Sequence, residues 1–305
     1  MNSGYDTGFV SLGINNIYTV LTDTGSLECR IKGKVLKGEK VYNPLAVGDR
    51  VEVELDPHDP GKGLILRRFE RKNVFSRYNK KRNAPQVILS NVDIIACVTS
   101  LASPPFRPRF LDRVLVAAAI GDMEPVIIVN KADLSGDDDA ESRIDVYRQI
   151  GYRVLRCSAL SGEGIEELKS EMRGGIWGFL GQSGVGKSSI LNALVPGLGT
   201  QTGALSKKYD RGSHTTCYAA MFSADDITLI DTPGIREIDI CGIEPMDLGH
   251  YYVEFQPFLN QCGFSPCLHD HEPGCRVKQA VEDGAIHHDR YESYVRTLAQ
   301  LQGNI

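Results

Sequence analysis

No run of apolar residues in this chain reaches the length of a membrane span, and residues 1–6 lack the basic and apolar regions of a signal peptide. Those absences predict a cytoplasmic protein without membrane contact. There is no internal repeat and no low-complexity stretch, which excludes a repeat array; the acidic run Asp137-Asp138-Asp139 reads as a solvated loop. A disulfide framework is missing as well. Of eight cysteines, Cys29, Cys97, Cys157, Cys217 and Cys241 are scattered and three gather near the C-terminus, which is metal spacing in a reducing compartment. What is present is globular, with 42% apolar and 24% charged residues over 305 positions, enough for two or three domains.

Charge is uneven. The net charge is −5, yet residues 1–85 hold 15 Lys/Arg against 10 Asp/Glu. The basic density peaks from Arg67 through Arg71 and Lys72 to Arg77 and Arg82, which fits either a solvated linker or a surface that contacts nucleic-acid phosphates.

Residues 1–72 read as five short strands, at 8–12, 17–21, 27–31, 51–55 and 63–66, separated by Gly, Asp and Pro turns. Five such strands predict a small closed β-barrel of the OB type, with a plain structural β domain as the competing reading. Residues 73–85 are expected to be a basic linker. Over 86–240 strands and helices alternate, predicting a parallel α/β sheet with helices on both faces. Residues 241–305 are less regular, rich in proline, and close on a helix at 289–301.

The α/β region carries the chemistry. Gly181-Gln182-Ser183-Gly184-Val185-Gly186-Lys187-Ser188, followed by Ser189, matches GxxxxGK(S/T) between an apolar strand at 176–180 and a helix start. Glycines let the backbone approach phosphates, the helix N-terminus attracts their charge, Lys187 can reach β/γ oxygens, and Ser188 can ligate magnesium. Asn130-Lys131-Ala132-Asp133 matches NKxD. The Asp133 carboxylate can accept from the ring N–H and exocyclic amine of guanine, a donor pair adenine lacks, while Asn130 ties the loop together and the Lys131 stem covers the base. Cys157-Ser158-Ala159 fits the loop whose backbone N–H meets the guanine oxygen, and Asp231-Thr232-Pro233-Gly234 matches DxxG, with Asp231 on the magnesium side and Gly234 at the γ-phosphate. GTP is the expected nucleotide and hydrolysis the expected reaction.

The order of these motifs is informative. NKxD and the Ser158-Ala159 loop precede the P-loop, whereas ordinary GTPases place them after it, so the domain is expected to be circularly permuted. That break ties the segment after Gly234 directly to the C-terminal region, and movement of residues 234–240 with the γ-phosphate is expected to reach it. Residues 196–216 occupy the place of switch I, where Thr215, with Thr216 as the alternative, is the expected magnesium ligand. Ile235 follows DxxG and cannot orient water as a glutamine would. His214 is the nearest polar candidate for that catalytic role, against the readings of an exposed loop histidine or a partner contact.

Near the C-terminus, Cys262, Cys267, His269 and Cys275 lie within 14 residues among Pro and Gly, the donor set of a closed structural zinc site, with His271 as a possible substitute for His269. His287 and His288 read as surface residues.

Together, NKAD, CSAL, GQSGVGKSS, HTT and DTPG in this order, with a β-barrel before and a Cys/His knuckle after, resemble the family of ribosome-dependent RsgA (YjeQ) GTPases over essentially the whole chain. The resemblance implies an OB-fold, a permuted GTPase domain and a mainly helical zinc domain. It also implies GTP hydrolysis stimulated by the small ribosomal subunit, rRNA binding, a role late in that subunit's maturation, and release of assembly factors. The family's switch-I histidine falls on His214. A monomer using Mg2+ with GTP and one structural Zn2+ is expected. Residues 242–305 carry 9 Asp/Glu against 4 Lys/Arg, which directs rRNA binding toward the barrel and the basic segment. A GTP-independent RNA-binding module and a small-molecule phosphotransferase are the competing classes, and the second would need an acceptor pocket and a lid.

Overall fold

The computed structural model describes residues 4–33, 43–136, 138–197, 218–224 and 226–303. His214, Thr215 and Thr216 lie outside them. Five strands form the N-terminal barrel: β1 (Tyr5–Ile14), β2 (Ile17–Thr22), β3 (Gly25–Ile31), β4 (Arg50–Leu55) and β5 (Lys62–Arg68). Neighbours pair in the order β1-β2-β3-β5-β4, and β1 also pairs with β4, which closes the ring. Alternate inward residues, among them Val10, Val20, Leu27, Cys29, Val51, Val53 and Ile65, make its core.

A bulge between Val10 and Leu12 lets β1 serve two sheets. Before it, Tyr5 to Phe9 pair with β4; after it, Leu12 lies opposite Ala220 of strand β12 (Ala220–Ala224). The second sheet runs β10 (Arg153–Arg156), β9 (Glu124–Val129), β8 (Ile94–Thr99), β11 (Ile176–Gly181), β13 (Ile227–Asp231), β12. All its pairings are parallel except β12 with β13, which is antiparallel where an all-parallel sheet is expected. The reason is local: only the short turn around Asp226 joins the two strands, too short for a crossover.

Buried on both faces, the parallel strands read as continuous apolar runs. Ile95, Cys97, Ile127 and Val129 face one core, which they share with helices α1 (Pro108–Ile120) and α2 (Asp138–Gln149). Ala96, Val98, Val126 and Ile128 face the other, with α3 (Ile165–Glu171) and α4 (Lys187–Leu194). Asp138 and Asp139 stand in the first turn of α2 instead of in a loop, where their charge complements the helix N-terminus.

The segment expected as a basic linker is a hairpin, β6 (Val74–Asn79) paired with β7 (Ala84–Ser90). Phe75 and Leu89 bury its inner face in the first core, and Val87 is buried as well. Basic charge just before the hairpin is absorbed within the protein. Arg71 donates to both carboxylate oxygens of fully buried Asp49, at 2.6 and 2.8 Å, and Ser90 Oγ donates to Asp49 at 2.7 Å. Lys80, Lys81 and Arg82 remain exposed at the hairpin turn.

The C-terminal region contains three short 3-10 turns, Pro245–Tyr251, Val253–Phe255 and Leu259–Gln261, then α5 (Arg276–Glu282) and α6 (His288–Leu301). Leu248, Tyr252, Phe255, Tyr294 and Leu298 join the core on the α1 face. No described helix is long and apolar enough to cross a membrane.

Candidate functional site

The P-loop joins the end of β11 to α4. Gly184 and Gly186 adopt left-handed backbone, with φ of 85° and 93°, and a Cβ on Gly186 would sit 2.2 Å from Asn130 Nδ2. That closeness comes with hydrogen bonds. Asn130, buried after β9, donates from Nδ2 to Val185 O at 2.9 Å and accepts from Ala159 N at 3.2 Å. Lys131 Nζ donates to Gly184 O at 2.9 Å, and Ser158 Oγ donates to Asp133. Segments around 130, 158 and 185, each at a parallel strand's C-terminal end, are therefore one hydrogen-bonded unit, as a nucleotide site in an open α/β sheet requires.

Lys187 is buried, and its Nζ donates to Gly181 O at 2.7 Å and Gln182 O at 3.1 Å. Burial pushes its pKa down to about 8, with Asp231 opposing the shift. Ser188 and Ser189 stand exposed on the first turn of α4. Asp231 is buried at the end of β13, and a Cβ on Gly234 would lie 3.1 Å from Ser183 N, so DxxG abuts the P-loop backbone. Sequence reasoning gave Thr232 no part; its buried Oγ1 donates to Phe179 O at 2.6 Å and fixes the start of the DxxG loop on β11.

Ile235 turns into the core on the α1 face, and the chain after it is anchored on three sides. Arg113 of α1 donates to Ile238 O at 3.0 Å and to Asp239 at 3.3 Å, Tyr78 N of the hairpin donates to Asp239 O at 2.8 Å, and Lys80 lies 3.2 Å from the Asp239 carboxylate. Gln300 of α6 accepts from Ile240 N at 2.9 Å and donates to Ile240 O at 3.2 Å.

In the C-terminal knuckle, the donor atoms of Cys262, Cys267, His269 and Cys275 all lie within 4.8 Å of one another. His269 Nδ1 is 3.5 Å from Sγ of both Cys262 and Cys275, and those sulfurs are 4.0 Å apart. Tetrahedral zinc with Zn–S about 2.3 Å and Zn–N about 2.0–2.1 Å needs ligand-to-ligand edges of about 3.5–3.8 Å, so the set fits a closed structural ion. Glu272 holds the turn by accepting from Leu268 N and Asp270 N, while Tyr291 OH donates to His269 O at 2.9 Å. His271 points away, its side chain 80% exposed, and the ring of His287 caps α6 by accepting from Asp289 N.

A guanine-type loop that precedes the P-loop in the chain yet is bonded to it in space defines the class: a circularly permuted GTPase, a GTP hydrolase that uses Mg2+. The family described as RsgA GTPase matches residues 68–241, and the RsgA N-terminal domain matches residues 7–65. A curated relative from Borrelia recurrentis, named small ribosomal subunit biogenesis GTPase RsgA, is 42% identical over 305 residues, covering 99% of this chain and 96% of its own. Among solved structures, YjeQ from Thermotoga maritima is 35% identical with a TM-score of 0.74, covering 98% of this chain and 99% of its own. YloQ, described as a circularly permuted GTPase, is 29% identical with a TM-score of 0.71, covering 99% and 96%. The chain belongs to the RsgA GTPase family.

Proposed function

We propose that this GTPase binds the small ribosomal subunit through its rRNA, hydrolyses GTP there late in subunit maturation, and helps to release assembly factors, working as a cytoplasmic monomer. The relatives' shared name supports the setting. The observation that carries the nucleotide assignment is the Asn130 bridge to Val185 and Ala159, which aims Asp133 and the Ser158-Ala159 loop at a base whose phosphates lie in the P-loop.

In this reading Asn130, Lys131, Asp133, Ser158 and Ala159 bind guanine. Gly181 to Ser189 enclose the phosphates, with Lys187 neutralising them, and Gly234 meets the γ-phosphate. Ser188 and Thr215, with Asp231 through water, would hold magnesium, which would supply positive charge against the phosphate oxygens. His214 positions the attacking water. One zinc on Cys262, Cys267, His269 and Cys275 serves structure alone, because four protein donors leave no open position. The barrel at 1–72, the basic segment at 73–85, the permuted domain at 86–240 and the zinc domain at 241–305 then divide the labour. γ-Phosphate contact at Gly234 is passed along residues 235–240 to the hairpin through Asp239 and to α6 through Gln300.

Phosphate release from GTP and from ATP, with and without purified small subunits, tests this. GTP turnover should rise severalfold or more with subunits and ATP turnover should stay at background; equal use of ATP, or no response to subunits, would refute it.

A further inference from the structure

Between α1, α6, the hairpin turn and the segment after DxxG lies an open cleft of about 700 Å³, within the size range of ligand pockets, about 300–1,000 Å³. Seven Lys/Arg and four Asp/Glu line it. Most of the charges pair with one another: Arg109 and Arg296 with Glu292, Arg143 with Asp289, Arg113 and Lys80 with Asp239. Two cations and one carboxylate, Glu237, are left over. Arg107, at the start of α1, and Arg236, two residues beyond Gly234, are exposed and have no side-chain partner among the described residues. Phe106 and Phe110 add partly buried rings to the same wall.

Gln182 of the P-loop, 9% exposed, lies on the floor of the cleft. Two free guanidinium groups, aromatic rings and an amide match a nucleotide unit: phosphate oxygens for the arginines, a π-face for the rings, and base-edge or ribose atoms for the amide.

We propose that this cleft receives one splayed-out nucleotide of single-stranded RNA, and that the contact reports RNA engagement to the GTPase centre. The inference deepens the ribosomal reading and rests on it for the RNA's origin. Its route is short. Gln182 also presents the carbonyl that accepts from Lys187, and Arg236 lies on the stretch between Gly234 and anchored Asp239, so an occupant touches both sides of the γ-phosphate position.

The test titrates the full-length protein into a fluorescein-labelled, mixed-sequence single-stranded RNA 10-mer and follows anisotropy over a range of KCl. Arg107→Ala and Arg236→Ala should each weaken binding about tenfold and flatten the salt slope by about 1, as loss of one phosphate contact demands. Arg107→Lys should recover most of the affinity, and Gln182→Ala should lower small-subunit stimulation of GTP turnover more than it lowers turnover without subunits. Unchanged RNA affinity in both alanine variants overturns the proposal. So does displacement of the RNA by AMP or GMP at equal nucleotide concentration, which would mark a mononucleotide site, or by poly-glutamate, which would mark an acidic-peptide site. Wild-type protein that binds the 10-mer through Arg107 but ignores small subunits would sink the ribosomal reading and leave the cleft standing.

Discussion

Arg290 of α6 and Asp112 of α1 form an ion pair with side chains only 3% and 1% exposed, joining residues 178 apart in sequence. The same guanidinium donates from Nε to Glu254 at 2.6 Å, and Tyr147 OH donates to Asp112 at 2.6 Å. The rings of Tyr252 and Tyr147 lie 4.9 and 5.4 Å from the Arg290 guanidinium carbon. This cluster joins the C-terminal region to the nucleotide-binding sheet. Arg290→Met leaves two carboxylates buried without their cation and should destabilise the protein by about 3–5 kcal/mol. Urea denaturation measures the loss, and a change below 1 kcal/mol would show that water already reaches the cluster.

Asn130→Ala removes both the bridge to Val185 and the acceptor for Ala159 N. Two buried hydrogen bonds at about 1–1.5 kcal/mol each correspond to a loss of GTP affinity of about 30- to 150-fold. Fluorescent GDP titration and a circular dichroism melt together separate this local loss from global unfolding.

The depressed pKa of Lys187, about 8, carries a pH signature. Above it the free protein has lost the ammonium proton, and phosphate binding must restore it, so binding takes up a proton. GTP affinity should therefore be flat below pH 8 and fall toward tenfold per pH unit above it. Calorimetry at pH 9 in buffers of different ionisation enthalpy should show proton uptake in wild type and none in Lys187→Met.

One zinc per chain should be found by elemental analysis, and Cys275→Ser should lose it. Because the knuckle's carbonyls are held by Tyr291 and Tyr294 of α6, removal of the ion should expose residues 257–275 to protease before the parallel sheet. Protection unchanged by a strong chelator would show that the four donors need no metal.

His214→Ala should lower the rate of hydrolysis by about 100-fold or more while leaving GTP affinity within twofold, as loss of a group that acts on the attacking water requires. Wild-type single-turnover rates in this variant would assign the water to another residue.

The nucleotide motifs were legible in the sequence because each is a run of neighbouring residues whose spacing is set by one strand end and one turn. The buried strands were legible for the same local reason, through runs such as Val126 to Val129. What depended on distant partners was not. Arg77, Lys80, Lys81 and Arg82 masked the hairpin as a linker, although Phe75, Val87 and Leu89 supply its buried apolar side chains. The choice of His269 over His271 is a matter of backbone, since His269 sits at φ 56°, which turns it toward the sulfurs. Asp112 offered one signal: a carboxylate between Leu111 and Val114 on a buried helix face calls for a cation, though nothing nearby in sequence identifies Arg290 as the one.

Because β1 ends one sheet and begins the other, and Asp49 ties barrel to hairpin beside that seam, the nucleotide-hydrolysing unit has no clean point of excision. Trimming away the first 70 residues would bare the outer rim of β12 as an open template for strand addition and strand the Arg71 charge, leaving a fragment prone to self-association.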